Sequence, residues 1–383
     1  MKYDPRRIVA WIGATLGGIG LASGVAAGHV RYVTDAETAG DGLAFLIDAL
    51  TDPLNVAVLG VGGVAAAAAV VLYLRVQPFR RDAEVFRDVM TSYTDLLPWL
   101  LRLGFGLPMV GAGFAGYLFN PVVEPFIGGT VARLFQIGIG FSLLFGLATR
   151  VAAVAGLVAY LLVLPVEPLL LFSIEWIPGF IAIALLGSGR PSADETLQRV
   201  AAAEGTTYGE IDPIHNVAAW FNDKVAPYER FVPLVIRVGM GAAFVFLGVV
   251  EKLLAPTMAL NVVDRYNLTA IAPLPPELWV LGAGFTELGL GIAIALGLFT
   301  RASALTALFV FTLTLFGLPD DPVLAHIGLF SLASALLITG AGPYALDNRI
   351  GALKPSRSEE TTSTIGDEQS GPGPTEDVSI EDD

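Results

Sequence analysis

The sequence predicts an all-α polytopic membrane protein: two parallel-repeat four-helix bundles plus an N-terminal helix pair, with about ten transmembrane helices in total. Of its 383 residues, 54% are hydrophobic and 15% are charged, whereas soluble globular proteins are about 45–50% apolar and about 25% charged. Apolar runs long enough to cross a hydrocarbon core of ~30 Å as helices recur along the chain. In addition, a long pattern of polar residues and glycines is present twice, which indicates an internal repeat.

The repeated pattern starts at Phe86 in the first copy and at Phe221 in the second. The first copy continues at fixed spacing with Asp88, Tyr93, Pro98, Arg102, Gly104, Gly106 and Gly113. The second has the same residue types at Asp223, Tyr228, Pro233, Arg237, Gly239, Gly241 and Gly248. Three later pairs extend the match, namely Gly146 with Gly297, Arg150 with Arg301, and Asp194 with Asp347. Apolar composition alone does not produce this spacing, so we interpret the chain as a tandem duplication with a degenerate first copy.

This pattern divides the chain into five parts. They are an N-terminal transmembrane helix pair (1–82), a first four-helix repeat (83–195), a cytoplasmic connector (196–219), a second four-helix repeat (220–353) and a disordered acidic tail (354–383). The first apolar run, Ile8–Ala27, is either a retained helix or a cleaved signal peptide, since a small-residue site follows it. The long loop 255–277 of the second repeat is expected to form a lid or a short helix pair.

The predicted spans alternate across the membrane. Besides 8–27 and 54–74, they are 97–118, 134–148, 151–170, 172–187, 231–250, 278–298, 302–318 and 322–340. Most Lys and Arg residues then fall on the side of the N-terminus, so the positive-inside rule predicts a cell-membrane protein with both termini cytoplasmic. Both repeats start on the same side, which makes them parallel rather than inverted copies.

Composition excludes several functions. The chain contains no cysteine, which excludes disulfides, iron–sulfur ligation and covalent c-type haem. The net charge of −14 argues against nucleic-acid binding, because phosphates require a basic face. It indicates either a surface adapted to high salt, as in halophilic proteins, or simply an acidic tail. The three histidines, His29, His215 and His326, are too few and too scattered to predict a metal or haem site.

Charged residues shared by both copies have a structural interpretation. These are the pairs Arg102/Arg237, Arg150/Arg301 and Asp194/Asp347. All six are predicted near cytoplasmic helix ends, as anchors that also obey the positive-inside rule, with ion pairing among them left open. The paired glycines are expected at close contacts between helices.

Residues that differ between the copies are the candidates for function. The second copy has Glu251, Lys252, Glu287 and His326 where the first has Gly116, Tyr117, Gln136 and Phe172. Ionisable groups within a membrane are costly and usually face a bundle interior or a cavity. Glu251 and Lys252 are alternatively snorkelling side chains at the interface. His326 is alternatively an interfacial histidine, and Glu287 a packing residue paired with a neighbour.

A family resemblance follows from four motifs of the second copy. They are Arg237-x-Gly-x-Gly, Gly248-x2-Glu251-Lys252-Leu253, Glu287-Leu-Gly-Leu-Gly-x5-Gly297-Leu-Phe-Thr-Arg301 and Gly340-Ala-Gly342-Pro-Tyr-Ala-Leu346-Asp347. This combination resembles the DoxX family of four-helix membrane proteins, including relatives of DoxD and of the membrane subunit of thiosulfate:quinone oxidoreductase. The resemblance implies a membrane subunit of an oxidoreductase, with a quinone as electron acceptor.

The resulting hypothesis is a quinone-interacting subunit of a respiratory or redox complex, embedded in the lipid bilayer. Glu287 would exchange a proton and His326 would hold a quinone oxygen, with Glu251 and Lys252 completing the binding site. The chain has no cofactor-binding motif, so a soluble or membrane-bound redox partner would carry the electron donor. Two alternatives stay open: a non-enzymatic scaffold that binds lipid or cargo, and a small-solute transporter that uses Glu287 for coupling.

Overall fold

The architecture is seen in a computed structural model that describes residues 30–34, 42–125, 128–211 and 214–352, with only the backbone for 211, 214–219 and 350–352. These residues are mainly helical, and no strand occurs among them. The predicted all-α fold is therefore confirmed. The first apolar run and the acidic tail lie outside the described residues.

Four helices lie in the described part of the N-terminal region. They are α1 (Val30–Val33), α2 (Gly42–Thr51), α3 (Pro53–Val76) and α4 (Arg80–Ser92). The α3 helix starts at a capped terminus, since the Asp52 side chain accepts a hydrogen bond from the Asn55 backbone amide. The apolar residues of α3 are not covered by the rest of the protein, as expected for a helix surrounded mainly by lipid.

The first half of the protein contains four apolar helices. They are α5 (Leu97–Ala115), α6 (Gly129–Phe145), α7 (Thr149–Val163) and α8 (Trp176–Leu186). The predicted span 172–187 begins later than expected, because Pro168–Ser173 forms a 3-10 helix and α8 starts only at Trp176. Three connector helices follow: α9 (Ala193–Ala202), α10 (Thr207–Ile211) and α11 (Ile214–Val225).

The second half repeats the order of helices with one insertion. Its elements are α12 (Val232–Phe246), a π-helix (Leu247–Leu253), α13 (Pro256–Arg265), α14 (Leu268–Ile271), α15 (Pro276–Leu296), α16 (Thr300–Gly317), α17 (Val323–Thr339) and α18 (Leu346–Ala352). The insertion consists of α13 and α14, the helix pair expected in the loop 255–277. Each predicted span within the described residues coincides with a helix. Five helical stretches among those residues are long and apolar enough to cross a membrane: Pro53–Val76, Thr94–Ala115, Trp220–Leu253, Pro276–Leu296 and Thr300–Gly317.

The two halves pack reciprocally. The first helix of each half contacts the fourth helix of the other, so that α5 packs on α17 and α12 packs on α8. Within each half, the first helix packs on the second, α5 on α6 and α12 on α15. This exchange places the buried core along the contact between the halves, where Phe105, Phe180 and Leu332 are fully covered.

Glycines set the closest approach between helices in both halves. A Cβ atom added to Gly106 would lie 3.0 Å from the Gly140 carbonyl oxygen, and one added to Gly241 would lie 2.6 Å from the Gly291 oxygen. Only a residue without a side chain allows the two backbones to come this close. The tandem duplication remains a prediction, which these matched contacts support.

Candidate functional site

The aspartates shared by the two copies bind helix N-termini. Asp194 accepts hydrogen bonds from the backbone amides of Ala148 and Thr149, at the start of α7. Asp347 accepts the same two bonds at the start of α16, from Phe299 and Thr300, and a third from the Thr300 hydroxyl. Because the first amides of a helix have no partner within it, each carboxylate satisfies two of them. Neither aspartate forms an ion pair with an arginine among the described ion pairs, although the charge of Asp194 acts on Arg102 and that of Asp347 acts on Arg237.

The shared arginines bind carbonyl groups at the same end of the helices. Arg102 donates to the Ser188 and Pro191 oxygens at 2.6 and 2.7 Å, and Arg237 donates to those of Pro343 and Tyr344 at 3.3 and 3.5 Å. Arg150 and Arg301 also donate to backbone carbonyl oxygens, at the C-terminal ends of the fourth helices. Arg150 binds the oxygen of Leu185, and Arg301 binds those of Leu337 and Ile338. These contacts fasten the chain that leaves each fourth helix, which is a structural role.

The residues that distinguish the second copy form a buried ion cluster. The Lys252 ammonium nitrogen lies 2.8 Å from Glu287 Oε2 and 3.7 Å from Glu251 Oε2. All three side chains are at most 1% exposed. Snorkelling to an interface is therefore wrong for Glu251 and Lys252, since neither head group reaches the surface.

Local backbone geometry brings two successive residues of one helix into this cluster. Glu251 and Lys252 lie in the π-helix Leu247–Leu253, where the wider hydrogen-bond ring changes the direction of the side chains. Such π segments within α-helices are frequent at functional sites. The Arg31 backbone amide donates to Glu251 Oε1 at 3.0 Å, so α1 closes the cluster from the N-terminal side.

His326 reaches the cluster from α17, across a small cavity. Its Nε2 atom lies 3.4 Å from Asp321 Oδ2, and its Nδ1 atom lies 3.2 Å from the Pro322 carbonyl oxygen. His326 and Glu287 line the same cavity, otherwise bounded by Ala243, Phe244, Leu247, Phe311 and Leu329. The cavity volume that the centre of a water-sized sphere can occupy is about 10 Å³. A volume of this size holds a single water molecule.

The equivalent position in the first half is satisfied by backbone groups instead. Gln136 is fully buried, and its side-chain oxygen accepts a bond from the Phe119 amide at 2.9 Å. Its amide nitrogen donates to the Tyr117 carbonyl oxygen at 2.8 Å. The Gln136 amide can thus replace the ion pair of the second half, because it binds one backbone donor and one backbone acceptor.

Sequence reasoning missed two buried acids. Asp321 and Glu175 are each 3% exposed, yet both occur beside prolines or helix starts, where an acidic residue usually marks a solvated loop. Of the other histidines, His29 lies outside the described residues, and the His215 side chain does too. Within the described ranges, no three side chains of His, Asp or Glu could hold a metal ion together.

Comparison with known proteins gives one match. Curated proteins and solved structures gave none. Residues 232–320 match the family model described as DoxX, a range that starts with α12 and includes Glu251, Lys252 and Glu287. The second half of this polytopic membrane protein therefore contains a region that is similar to the DoxX family.

Proposed function

We propose that the second half is a proton-exchanging, quinone-interacting membrane subunit of a respiratory or redox complex. One observation carries this proposal: buried carboxyl groups outnumber the buried ammonium group. Glu251 and Glu287 contact Lys252, and Asp321 is close enough to Glu251 and Lys252 for their charges to act on it. The Arg31 guanidinium is a second cation, whose charge acts on Glu251. Charges of the same sign in a medium of low dielectric repel strongly, so three carboxylates do not ionise fully beside two cations. A cluster of this kind retains a proton that can be exchanged.

The geometry is consistent with a route from this proton to the protein surface. Glu287 and His326 face one cavity with room for a single water, and His326 lies beside Asp321. The neighbouring Asp320 is 58% exposed and pairs with Arg265 at 2.9 Å. Because carboxyl, imidazole and water can each accept and donate a proton, the series Glu287, His326 and Asp321 would connect the cluster to water.

The cavity suits a quinone by its chemistry and not by its size. Its walls are apolar and aromatic, with two polar groups, a composition typical of small-molecule sites. The rings of Phe244 and Phe311 stack across it at 5.3 Å, and they would have to separate to admit a ring. When bound, a quinone would supply two-electron, two-proton chemistry. Glu287 would then hold and deliver protons, His326 would contact an oxygen, and both phenylalanines would exclude water.

The experiment compares purified wild-type protein with Glu287→Gln and with Glu277→Gln, a partly exposed carboxyl at the start of the same helix. Quinones are extracted and identified by mass spectrometry, and binding of a short-chain ubiquinone is measured by titration. We expect Glu287→Gln to weaken binding about tenfold or more, the effect of losing a hydrogen bond to a charged group, and Glu277→Gln to bind normally. Folded wild-type protein that neither carries nor binds quinone would overturn the proposal.

A non-enzymatic scaffold is the second candidate, and the closed cavity favours it. With room for only one water, the polar groups of the second half would serve to fix the helices for a lipid or a partner protein. In that case the titration shows no quinone binding, whereas Glu287→Gln still lowers the melting temperature.

A further inference from the structure

A buried acid also lies in the first half, at the start of α8. Glu175 is 3% exposed, and among the described residues its Oε2 atom has no hydrogen-bond partner. None of the ion pairs found in those ranges includes it. It therefore differs from Glu287, which has a lysine beside it.

The short length of α8 places this carboxyl deep in the bundle. The α8 helix has 11 residues, whereas its counterpart α17 has 17. At 1.5 Å per residue, Glu175 lies about 16 Å from the other end of α8. This is about half the ~30 Å thickness of a hydrocarbon core, which is the mid-membrane depth for an acid at the inner end of a helix that starts at a membrane surface.

Hydroxyl and amide groups form a hydrogen-bond network at the turn that precedes the acid. The Ser173 hydroxyl accepts a bond from the Asn120 side chain at 2.5 Å and lies 3.2 Å from the Tyr32 hydroxyl. The Tyr160 hydroxyl donates to the carbonyl oxygens of Leu170 and Ser173 at 2.6 and 2.8 Å. These bonds satisfy the turn before α8 and supply no positive charge to the carboxyl.

Tyr32 links this acid to the cluster of the second half. It belongs to α1, whose Arg31 backbone amide binds Glu251, while its own hydroxyl contacts Ser173 in the first half. Both Glu175 and Glu251 are close enough for their charges to act on Tyr32. The α1 helix thus lies between the two sets of buried acids.

We propose that Glu175, with Tyr32 and Ser173 as its polar neighbours, is a second proton-binding site of this membrane protein. An ionised carboxylate without a cation costs several kcal/mol in such surroundings, so the group is a neutral acid that carries a proton. When the Glu175 carboxyl releases this proton to water and takes up another one, it returns to the same neutral form. The first half then has an acid of its own, at a position unrelated to Gln136. This site is independent of whether quinone binds to the second half.

Infrared spectroscopy of the purified protein at neutral pH tests the site, because the C=O stretch of a protonated carboxyl is separate from that of a carboxylate. The comparison is between Glu175→Gln and Glu124→Gln, which alters an exposed carboxyl of the same half. Both changes are also made in a Glu287→Gln background, which removes the contribution of Glu287. We expect a protonated-carboxyl component that shifts in D2O, is missing after Glu175→Gln and persists after Glu124→Gln, beside the components of Glu251 and Asp321, which both variants share.

Two further variants keep the outcome clear. Tyr32→Phe should shift the Glu175 band without removing it, since the acid remains and its surroundings change. If Glu175→Gln does not fold, Glu175→Asp should retain the band at a different frequency. An unchanged spectrum in folded Glu175→Gln or in Glu175→Asp would overturn the proposal, while quinone binding to the same proteins reports separately on the second half.

Discussion

The Lys252 ammonium lies 2.8 Å from the Glu287 carboxylate, and both side chains are 1% exposed. This pair joins the π-helix at the end of α12 to the middle of α15. The equivalent positions in the first half, Tyr117 and Gln136, are joined by a hydrogen bond between side chain and backbone. The two halves thus meet the same packing requirement, one with charges and one without.

Removing either charge of this pair should destabilise the protein. Breaking a buried ion pair typically costs about 3–5 kcal/mol, because the other charge stays buried. We expect large losses in melting temperature for Lys252→Met and Glu287→Leu. The double variant should lose less than the sum, by about 1 kcal/mol or more.

The matched control for this cycle is Tyr117→Met with Gln136→Leu. Since the Tyr117 contact uses its backbone oxygen, these two changes should be additive. Additive losses in the charged cycle as well would show that Lys252 and Glu287 do not stabilise each other.

Glycine substitutions should separate contact positions from lipid-facing ones. A Cβ at Gly291 would lie 2.7 Å from the Gly241 oxygen, whereas nothing lies within 4 Å of one at Gly289. We expect Gly291→Ala to cost about 1–3 kcal/mol through overpacking, and Gly289→Ala to be neutral. Thermal melting in detergent measures both. The first half repeats the experiment with Gly140 and Gly138, and a different response there would weigh against the tandem duplication.

The two capping aspartates should differ in strength. Loss of a helix cap costs about 0.5–2 kcal/mol. Asp347→Ala removes three hydrogen bonds and Asp194→Ala removes two, so the first change should lower the melting temperature more. An equal or reversed order would mean that the Thr300 hydroxyl bond contributes nothing.

Asp321, in the loop between α16 and α17, should make stability depend on pH. Burial raises its pKa to about 8, with the negative charge of Glu251 adding to the rise and Lys252 opposing it. A carboxyl whose pKa is raised on folding stabilises the protein below its unfolded value of about 3.9, and this contribution is lost as the pH rises to about 8. Wild-type protein should therefore lose melting temperature towards alkaline pH. Asp321→Asn should lose less over the same range, and parallel curves would contradict the assignment.

Topology gives the last prediction. The distribution of Lys and Arg predicts that both termini are cytoplasmic, so a reporter fused after Lys354 should be accessible only from that side. Labelling of this reporter from outside intact cells would contradict the predicted orientation.

The sequence by itself determined the helices and the candidate residues. Apolar runs, bounded by glycines and charges, predicted every span that lies within the described residues. The internal comparison identified Glu251, Lys252, Glu287 and His326, because a charged residue in one copy and a neutral one in the other is visible without a structure.

Only the tertiary structure decided which of these residues meet. Glu251 and Lys252 lie in a π-helix and are buried. Their position at a helix end in the sequence had suggested a place at the surface, and the sequence did not predict the π-helix. Asp321 and Glu175 look like ordinary loop acids in the sequence. Both are buried in the folded protein, and burial of this kind depends on residues distant in the chain.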